Sequence, residues 1–266
     1  MPQFPISIFV FFSFLLLFSS VFTLGEPTTC SGIVPLRHRE NRFSITEFGA
    51  VGDGTTVNTK AFAAAIDRIE RSGGGGGTLL YVPPGVYLTE SFNLTSHMTL
   101  YLAGGAVIKA VQDAENWRLI DPLPSYGRGR ERPGGRYISF IHGNGLNDVV
   151  ITGENGTIDG QGEPWWNMWR QRTLKFTRPN LVEFKNSRNI VISNVVLRDS
   201  PFWTIHPVYC SNVVVHHVTI LAPADSPNTD GIDPDSSTNV CIEDSYISTG
   251  DDLVAVKRSM VQNPVL

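Results

Sequence analysis

Apolar and polar residues alternate regularly in several short segments of this chain. Three of them, residues 189–197, 212–220 and 239–247, align without gaps, and each begins with an asparagine. The asparagines lie 23 and 27 residues apart, and residues 148–151 and 97–100 are weaker, earlier copies. Such alternation predicts strands with one buried face. Because repeats this short leave no room for a crossover helix, we predict a solenoid whose coils stack about 4.8 Å apart through parallel strands.

Two other repeat architectures fit the pattern less well. A leucine-rich repeat would show an LxxLxLxxN signature, which the sequence lacks, and a propeller needs four strands per blade in about 40 residues. Upstream, residues 58–71 have apolar side chains at helical spacing and precede five glycines, residues 73–77. We predict a helix there, then a loop, a strand at Thr78–Val82 and a turn at residues 83–85. This segment is expected to cap the N-terminal end of the stack.

The N-terminal segment has the composition of an export signal. Residues 6–24 are almost wholly apolar, and the first charged side chain is that of Glu26. We expect a signal peptide, residues 1–25, cleaved near Gly25; an uncleaved signal anchor is the alternative. The remaining domain is predicted to span residues 40–266. Two N-glycosylation sequons, at Asn93 and Asn155, agree with export.

Charge and cysteine content narrow the possibilities further. A net charge of −4 on 266 residues argues against nucleic acid as a partner. We also expect a monomer that has no membrane contact apart from an uncleaved anchor. The three cysteines, Cys30, Cys210 and Cys241, form no disulfide framework and no CxxC metal pattern. Cys241 aligns with Val214 of the preceding repeat, so we expect it to be a small buried hydrophobic residue; a pair with Cys210 is the alternative.

The candidate chemistry lies in two short acidic motifs about one repeat apart. They are Asn228-Thr229-Asp230-Gly231 and Gly250-Asp251-Asp252. If the repeats stack, three carboxylates converge on one side of the solenoid. Clustered carboxylates repel each other, so one tends to hold a proton while the others stay charged. A proton donor beside a base is what cleavage of a glycosidic bond requires.

Several motifs in order resemble a known family. Phe48-Gly49-Ala50-Val51-Gly52-Asp53-Gly54 and Val82-Pro83-Pro84-Gly85 resemble the start of pectinase-type right-handed parallel β-helix proteins. Asp159-Gly160-Gln161-Gly162 with Trp165-Trp166, followed by the two acidic motifs, is similar to the polygalacturonase-like glycoside hydrolases of family 28, especially plant members. The resemblance implies an all-β, right-handed parallel β-helix (pectin-lyase-like) that is secreted to the cell wall and needs no cofactor.

The resemblance also implies an activity and residue roles. Family members hydrolyse α-1,4-linked galacturonan with inversion. By position, Asp251 would be the general acid, and Asp230 and Asp252 would orient and deprotonate the water. Asn228, His206, Trp203 and Lys257 are candidate substrate contacts: the indole of Trp203 could stack on a sugar, and Lys257 could bind a uronate carboxylate. A partly buried structural role for His206, and an exposed strand position for Lys257, are the plainer alternatives. No metal site is predicted, because an EF-hand register around residues 225–235 would place Ser226 and Ser237 at carboxylate positions.

The pattern departs from the family after Lys257. The Gly-rich and Arg-x-Lys motifs that family members carry further on do not appear, and the chain ends at Leu266. We therefore expect an incomplete β-helix that is weakly active or inactive. A non-catalytic β-helix that binds cell-wall polysaccharide is the alternative function. A calcium-dependent pectate lyase would need a calcium cage and a basic residue to take the proton, and neither is evident.

Overall fold

The computed structural model describes Cys30 and residues 32–34, 38–72, 76–124, 131 and 134–258. The predicted signal segment and the last eight residues lie outside the described residues. The strands, numbered along the chain, form three parallel sheets and one small antiparallel pair. None of the helices in this part of the chain is both long and apolar enough to cross a membrane.

Sheets A and B contain seven parallel strands each. Sheet A consists of β1 (Asn41–Ser44), β3 (Thr78–Val82), β6 (Met98–Leu102), β11 (Asn147–Gly153), β14 (Arg188–Ser193), β17 (Ser211–His216) and β19 (Thr238–Glu243). Sheet B consists of β2 (Asp53–Val57), β4 (Gly85–Thr89), β7 (Ala106–Ala110), β12 (Gly156–Asp159), β15 (Val195–Arg198), β18 (Thr219–Leu221) and β20 (Tyr246–Ser248).

Sheet C completes each coil. It consists of β5 (Phe92–Asn93), β10 (Ile141–Asn144), β13 (Val182–Lys185) and β16 (Ile205–Val208). Single bridges continue it through Ile232 to Val254 and through Asp235 to Lys257. The antiparallel pair is β8 (Leu119–Ile120) with β9 (Arg136–Tyr137).

The helices lie outside the coils. Helix α1 (Thr59–Ser72) begins one residue later than predicted, after Asn58, whose carbonyl accepts the amides of Ala61 and Phe62. Its apolar face packs on the first strand of sheet C, with the rings of Phe62 and Phe92 4.6 Å apart. The capping role predicted for this segment is thus confirmed. Helix α2 (Glu163–Arg170) and two 3₁₀ turns (Ile45–Phe48 and Ala114–Asn116) are also present.

The strand register confirms the repeat alignment. Ile190 pairs with Val213, and Val213 with Val240, which reproduces the offsets of 23 and 27 residues. Each nine-residue segment holds two strands, however, because one residue near its middle adopts left-handed backbone dihedrals. These residues are Asn194, His217 and Asp244, with φ angles of 50°, 52° and 45°. The chain turns there from sheet A into sheet B. The predicted right-handed parallel β-helix is confirmed.

Cys241 is not the buried core residue that was expected. It lies on the outer face of sheet A and forms a disulfide with Cys30, 211 residues away. Val34 packs beside this disulfide against Val191 and Val214, so the N-terminal segment covers an apolar strip of the sheet. Cys210 is the buried free thiol, and burial raises its pKa to about 11. The alternative Cys210–Cys241 pair is therefore wrong as well.

Candidate active site

The two acidic motifs lie on consecutive turns that lead into sheet C, one directly above the other. The amide of Gly231 donates to the carbonyl of Asp252 at 2.9 Å. Thr229 is fully buried, and its hydroxyl accepts the amide of Gly250 at 3.0 Å. The side-chain amide of Asn228 donates to Oδ2 of Asp251 at 3.2 Å. Asn228, Thr229 and Gly231 thus each make a specific contact with the Gly-Asp-Asp turn.

Both glycines of the motifs are required by this close stacking. A Cβ at Gly250 would collide with the carbonyl oxygen of Ser226. A Cβ at Gly231 would press on the carbonyl of Leu253 and lie 2.7 Å from a methyl carbon of Ile247. Both positions are contacts between backbones of neighbouring coils, where a side chain does not fit. The glycines therefore set the distance between the acidic turns.

The structure brings the three predicted aspartates together. One carboxylate oxygen from each of Asp230, Asp251 and Asp252 lies within 4.8 Å of the other two. Asp251 and Asp252 are exposed, whereas Asp230 is only 5% exposed. The cluster thus combines two carboxylates that a polymer in solution can reach with one that is buried in the wall of the β-helix.

The same oxygens are the kind of ligand that a hard cation such as Ca²⁺ accepts. An acidic cluster alone does not define a metal site, so the expectation of no metal stays a prediction. A second group of possible ligands, Cys30, Cys241 and Glu243, lies at the disulfide. Its sulfurs are bonded to each other and are not available as thiolates.

Lys257 binds the carboxylate of Asp230 from inside the wall. Its ammonium bonds Oδ2 of Asp230 at 3.1 Å and also bonds Oδ1 of Asp233. It also lies 4.2 Å from the centre of the Trp203 ring, within reach of a cation–π interaction. Asp233 is fully buried, and this burial raises its pKa to about 8 against the opposing effect of Lys257. Lys257 therefore neutralises charge inside the wall.

The other charged groups beneath the cluster form a connected buried network. Arg136 makes a two-bond ion pair with Glu183, and Nδ1 of His206 lies 3.0 Å from the same carboxylate. Nε2 of His206 lies 3.6 Å from Oδ2 of Asp235. Burial opposes ionisation of Glu183, but Arg136 and His206 hold its pKa well below the ordinary value. Burial likewise opposes charging of His206, yet its acidic neighbours Asp235 and Glu183 raise its pKa.

Three of the predicted substrate contacts lie inside the wall. Trp203 and His206 are each 1% exposed, and Lys257 is 7% exposed. In this structure their side chains contact other protein groups and present no open face to a polysaccharide. The plainer alternative of an exposed Lys257 does not fit either. Asn228 is partly exposed beside Asp251, so it remains the predicted contact that a ligand at the cluster can reach.

The predicted glycosylation sites are on the surface. Asn93 ends strand β5 and Asn155 lies in the turn before β12, and both side chains are exposed. Asn155 has a φ of 58°, which asparagine tolerates better than most residues.

Three buried residues of the wall were not identified from the sequence: Arg178, Glu183 and Asp233. Arg178 is 1% exposed and bonds the side chain of Asn228. Glu183 stands at an alternating position of strand β13 that the pattern assigns to solvent. Its ion-pair partner Arg136 lies 47 residues away in the sequence, so no local signal identified the contact.

The fold and the carboxylate cluster together indicate the class of protein. A parallel β-helix with converging carboxylates on one wall is typical of a protein that acts on an extended polysaccharide. The sequence matches the glycosyl hydrolases family 28 over residues 82–263. The chain belongs to this family.

Individual relatives agree with the assignment. A probable polygalacturonase of Vitis vinifera is 56% identical over 219 residues, which are 82% of this chain and 45% of that protein. A probable polygalacturonase of Arabidopsis thaliana is 36% identical over 81% of this chain and 42% of its own length. The chain thus spans less than half the length of these relatives.

A solved structure has the same fold. The exopolygalacturonase of Thermotoga maritima superposes with a TM-score of 0.71 at 28% sequence identity. The match covers 85% of this chain and 56% of the bacterial chain.

Proposed function

We propose that this chain carries the catalytic carboxylates of a polygalacturonase, which hydrolyses α-1,4 linkages between galacturonosyl units of pectin. The convergence of Asp230, Asp251 and Asp252 within 4.8 Å carries the proposal. Membership of family 28 and the similarity to plant probable polygalacturonases support pectic galacturonan as the substrate. The protein would act as a monomer, without nucleic acid or cofactor, and without membrane contact unless the N-terminal segment is retained as an anchor.

The three aspartates have distinct proposed roles. Asp251 is the general acid that protonates the leaving oxygen, and Asp230 and Asp252 orient and deprotonate the attacking water. The exposure of Asp251 and Asp252 suits groups that contact substrate. Asp230 reaches the cluster from inside the wall, where the ammonium of Lys257 offsets its charge.

Inversion at the anomeric carbon belongs to the proposal on the strength of the family resemblance. Inverting glycosidases generally hold two carboxyl groups about 6.5–9.5 Å apart, and retaining enzymes about 5–5.5 Å apart. The nearest oxygens of this three-membered cluster lie within 4.8 Å, so spacing alone does not indicate inversion. Proton NMR of the first product decides the point, since inversion of an α-linkage releases the β-anomer. An initial α-anomer would contradict it.

The decisive test is Asp251→Asn in the purified chain. If the chain releases reducing ends from polygalacturonate, the variant should lose about 10²–10⁴-fold in rate, the usual contribution of general acid–base catalysis. Its affinity for the polymer should change less than threefold. Asp244→Asn, which alters an exposed aspartate away from the cluster, is the matched control and should keep the rate.

One outcome would overturn the proposed role of Asp251, and another would favour the alternative function. A D251N variant that keeps more than a tenth of the wild-type rate would remove Asp251 from the mechanism. A wild-type chain that binds polygalacturonate but releases no reducing ends would favour the non-catalytic alternative.

We also propose that the protein is exported to the cell wall and carries glycans at Asn93 and Asn155. The exposure of both asparagines supports this. Mass spectrometry of the protein secreted from a plant host tests it. Unmodified sequons, or a retained N-terminal segment, would contradict it.

A further inference from the structure

Arg178 is a buried cation that the proposed mechanism does not use. Its side chain is fully buried, so it cannot touch a polysaccharide. It lies between the Arg136–Thr177 bridge and strand β13, two coils before the turn that carries Asn228. Burial lowers its pKa, and the nearby carboxylate of Glu131 opposes that effect. A buried arginine held in this way has a structural or a positioning role.

All five N–H donors of the guanidinium have partners. Nη1 donates to the carbonyls of Pro201 and Pro227, each at 2.9 Å. Nε donates to Oε1 of Glu131 at 2.7 Å, and Nη2 bonds the same oxygen. The remaining donor of Nη2 reaches Oδ1 of Asn228 at 2.9 Å. A lysine in this place has three donors from a single nitrogen and cannot reproduce the set.

Two of these bonds hold the Pro227–Asn228 segment of the acidic turn. The carbonyl of Pro227 and the side chain of Asn228 are held by the same planar group. Asn228 has a φ of 52°, in the left-handed region that asparagine tolerates better than most residues, and the two bonds add to this local preference. Arg178 therefore holds both the backbone and the side chain of Asn228 in the orientation that the turn requires.

The chain of contacts ends at the proposed acid. With its oxygen bound to Arg178, the amide of Asn228 directs its nitrogen to Oδ2 of Asp251 at 3.2 Å. The other oxygen of Asp251 accepts the amide of Asp252 at 3.0 Å. These two donors fix the rotation of the carboxyl group. Loss of the bond from Asn228 would leave the exposed carboxyl group of Asp251 free to turn away from the glycosidic oxygen.

We propose that Arg178 is a positioning residue that acts through Asn228 to orient the carboxyl group of Asp251. This inference rests on the proposed function, because orientation matters only if Asp251 donates the proton. It adds a residue some 50 positions upstream of the acidic motifs to the machinery. Misplacement of a reacting group by about 1 Å is enough to lower a rate about 10²-fold.

The test compares Arg178→Lys, Asn228→Ala and the double variant. R178K should lower kcat about 10- to 100-fold with KM changed less than threefold, since positioning acts on the reacting group. N228A should lower kcat by at least as much and should also raise KM, because Asn228 is itself a predicted substrate contact. The double variant should be no slower than the slower single variant, because both changes break the same chain of contacts. Additive losses in the double variant would overturn the proposal and leave Arg178 a structural role.

A second measurement does not depend on turnover. In ¹⁵N-labelled protein, the side-chain amide protons of Asn228 should be protected from solvent exchange, and R178K should remove at least tenfold of that protection. Arg170→Lys is the matched control, because Arg170 bonds the nearby but exposed Asp225 and should leave Asn228 unchanged. Unchanged protection in R178K overturns the positioning role even if the chain hydrolyses pectin. Lost protection in a chain without hydrolysis supports the contact and counts against the proposed function alone.

Discussion

Two rows of polar side chains run along the stack, and each extends over several coils. The asparagine row is neutral and lies at the entrance to sheet A. Its members are joined by side-chain amide bonds of 2.7–2.9 Å, and they are partly or fully exposed: Asn147, Asn189, Asn212 and Asn239. Asn189, Asn212 and Asn239 adopt left-handed φ angles, which asparagine tolerates well.

The charged row lies on the outer side of sheet C and is buried. It includes Glu183, His206, Asp233, Asp235 and Lys257, none of which is more than 7% exposed. Its members bond to one another, and it ends at Asp230, one of the three aspartates of the proposed active site.

The two rows respond differently to the loss of a member. Water can replace a missing partner in the asparagine row, because its amides reach the surface. A charge left alone in the charged row has no access to water and carries its desolvation penalty uncompensated. The asparagine row therefore stabilises the coil locally, whereas the charged row makes the wall beneath the carboxylates rigid and sensitive to change.

Lys257→Met should produce the largest loss of stability. The methionine retains the length of the side chain but leaves the buried carboxylate of Asp230 without its cation and Asp233 without a hydrogen-bond donor. Removing one partner of a buried ion pair generally costs about 3–5 kcal/mol. Urea unfolding followed by circular dichroism at pH 7 measures the effect.

Lys60→Met provides the control for this change. Lys60 is exposed on helix α1, so the same substitution there should change stability by less than about 0.5 kcal/mol. A K257M variant as stable as K60M would show that the charged row is hydrated in solution, and the contrast between the rows would fail.

The pH dependence of stability should also differ between the charged row and the asparagine row. Burial raises the pKa of Asp233 from 3.8 to about 8. The folded state then retains a proton that the unfolded state loses between these values, so the stabilisation present below pH 4 is lost as the pH rises toward 8. Over pH 5 to 7 this loss amounts to at most about 3 kcal/mol, since one pKa unit corresponds to about 1.4 kcal/mol.

Asp233→Asn should flatten this slope, because an amide does not titrate. Asn212→Ala should lower stability equally at each pH and leave the slope as in the wild type. Urea midpoints at pH 5, 6 and 7 for the three proteins provide the comparison. Identical slopes in the wild type and D233N would assign the titration to another group, such as His206.

The same contrast explains which parts of the molecule could be predicted from the sequence. Val149, Ile190 and Val213 stack inside the coils, and simple alternation identified their strands. The asparagine row was visible as the first residue of each repeat. Asp230, Asp251 and Asp252 could be grouped because their spacing matches one coil. Short-range pattern and repeat length carry all of this information.

Alternation could not reveal the charged row, because it assigns every second residue to solvent. Glu183 and His206 occupy such positions, and they become buried only when segments such as the one carrying Arg136 fold over them. The disulfide was missed for a related reason. Val150, Val191 and Val214 form an apolar row with Cys241 on an outward face, which indicates a covering segment, yet Cys241 was interpreted as interior.

Asn212→Ala should produce the smallest effect and sharpens the comparison most. It removes the bonds to Asn189 and Asn239 and places alanine at a φ of 55°. Because these amides are accessible to water, we expect a loss of about 1–2 kcal/mol, part of it from the left-handed backbone. Asn212→Gly removes the same bonds but relieves the backbone strain, so the difference between the two variants isolates that part. Chemical unfolding at pH 7 measures both. A loss in N212A as large as that in K257M would mean that the asparagine row is as dependent on its partners as the buried charges are.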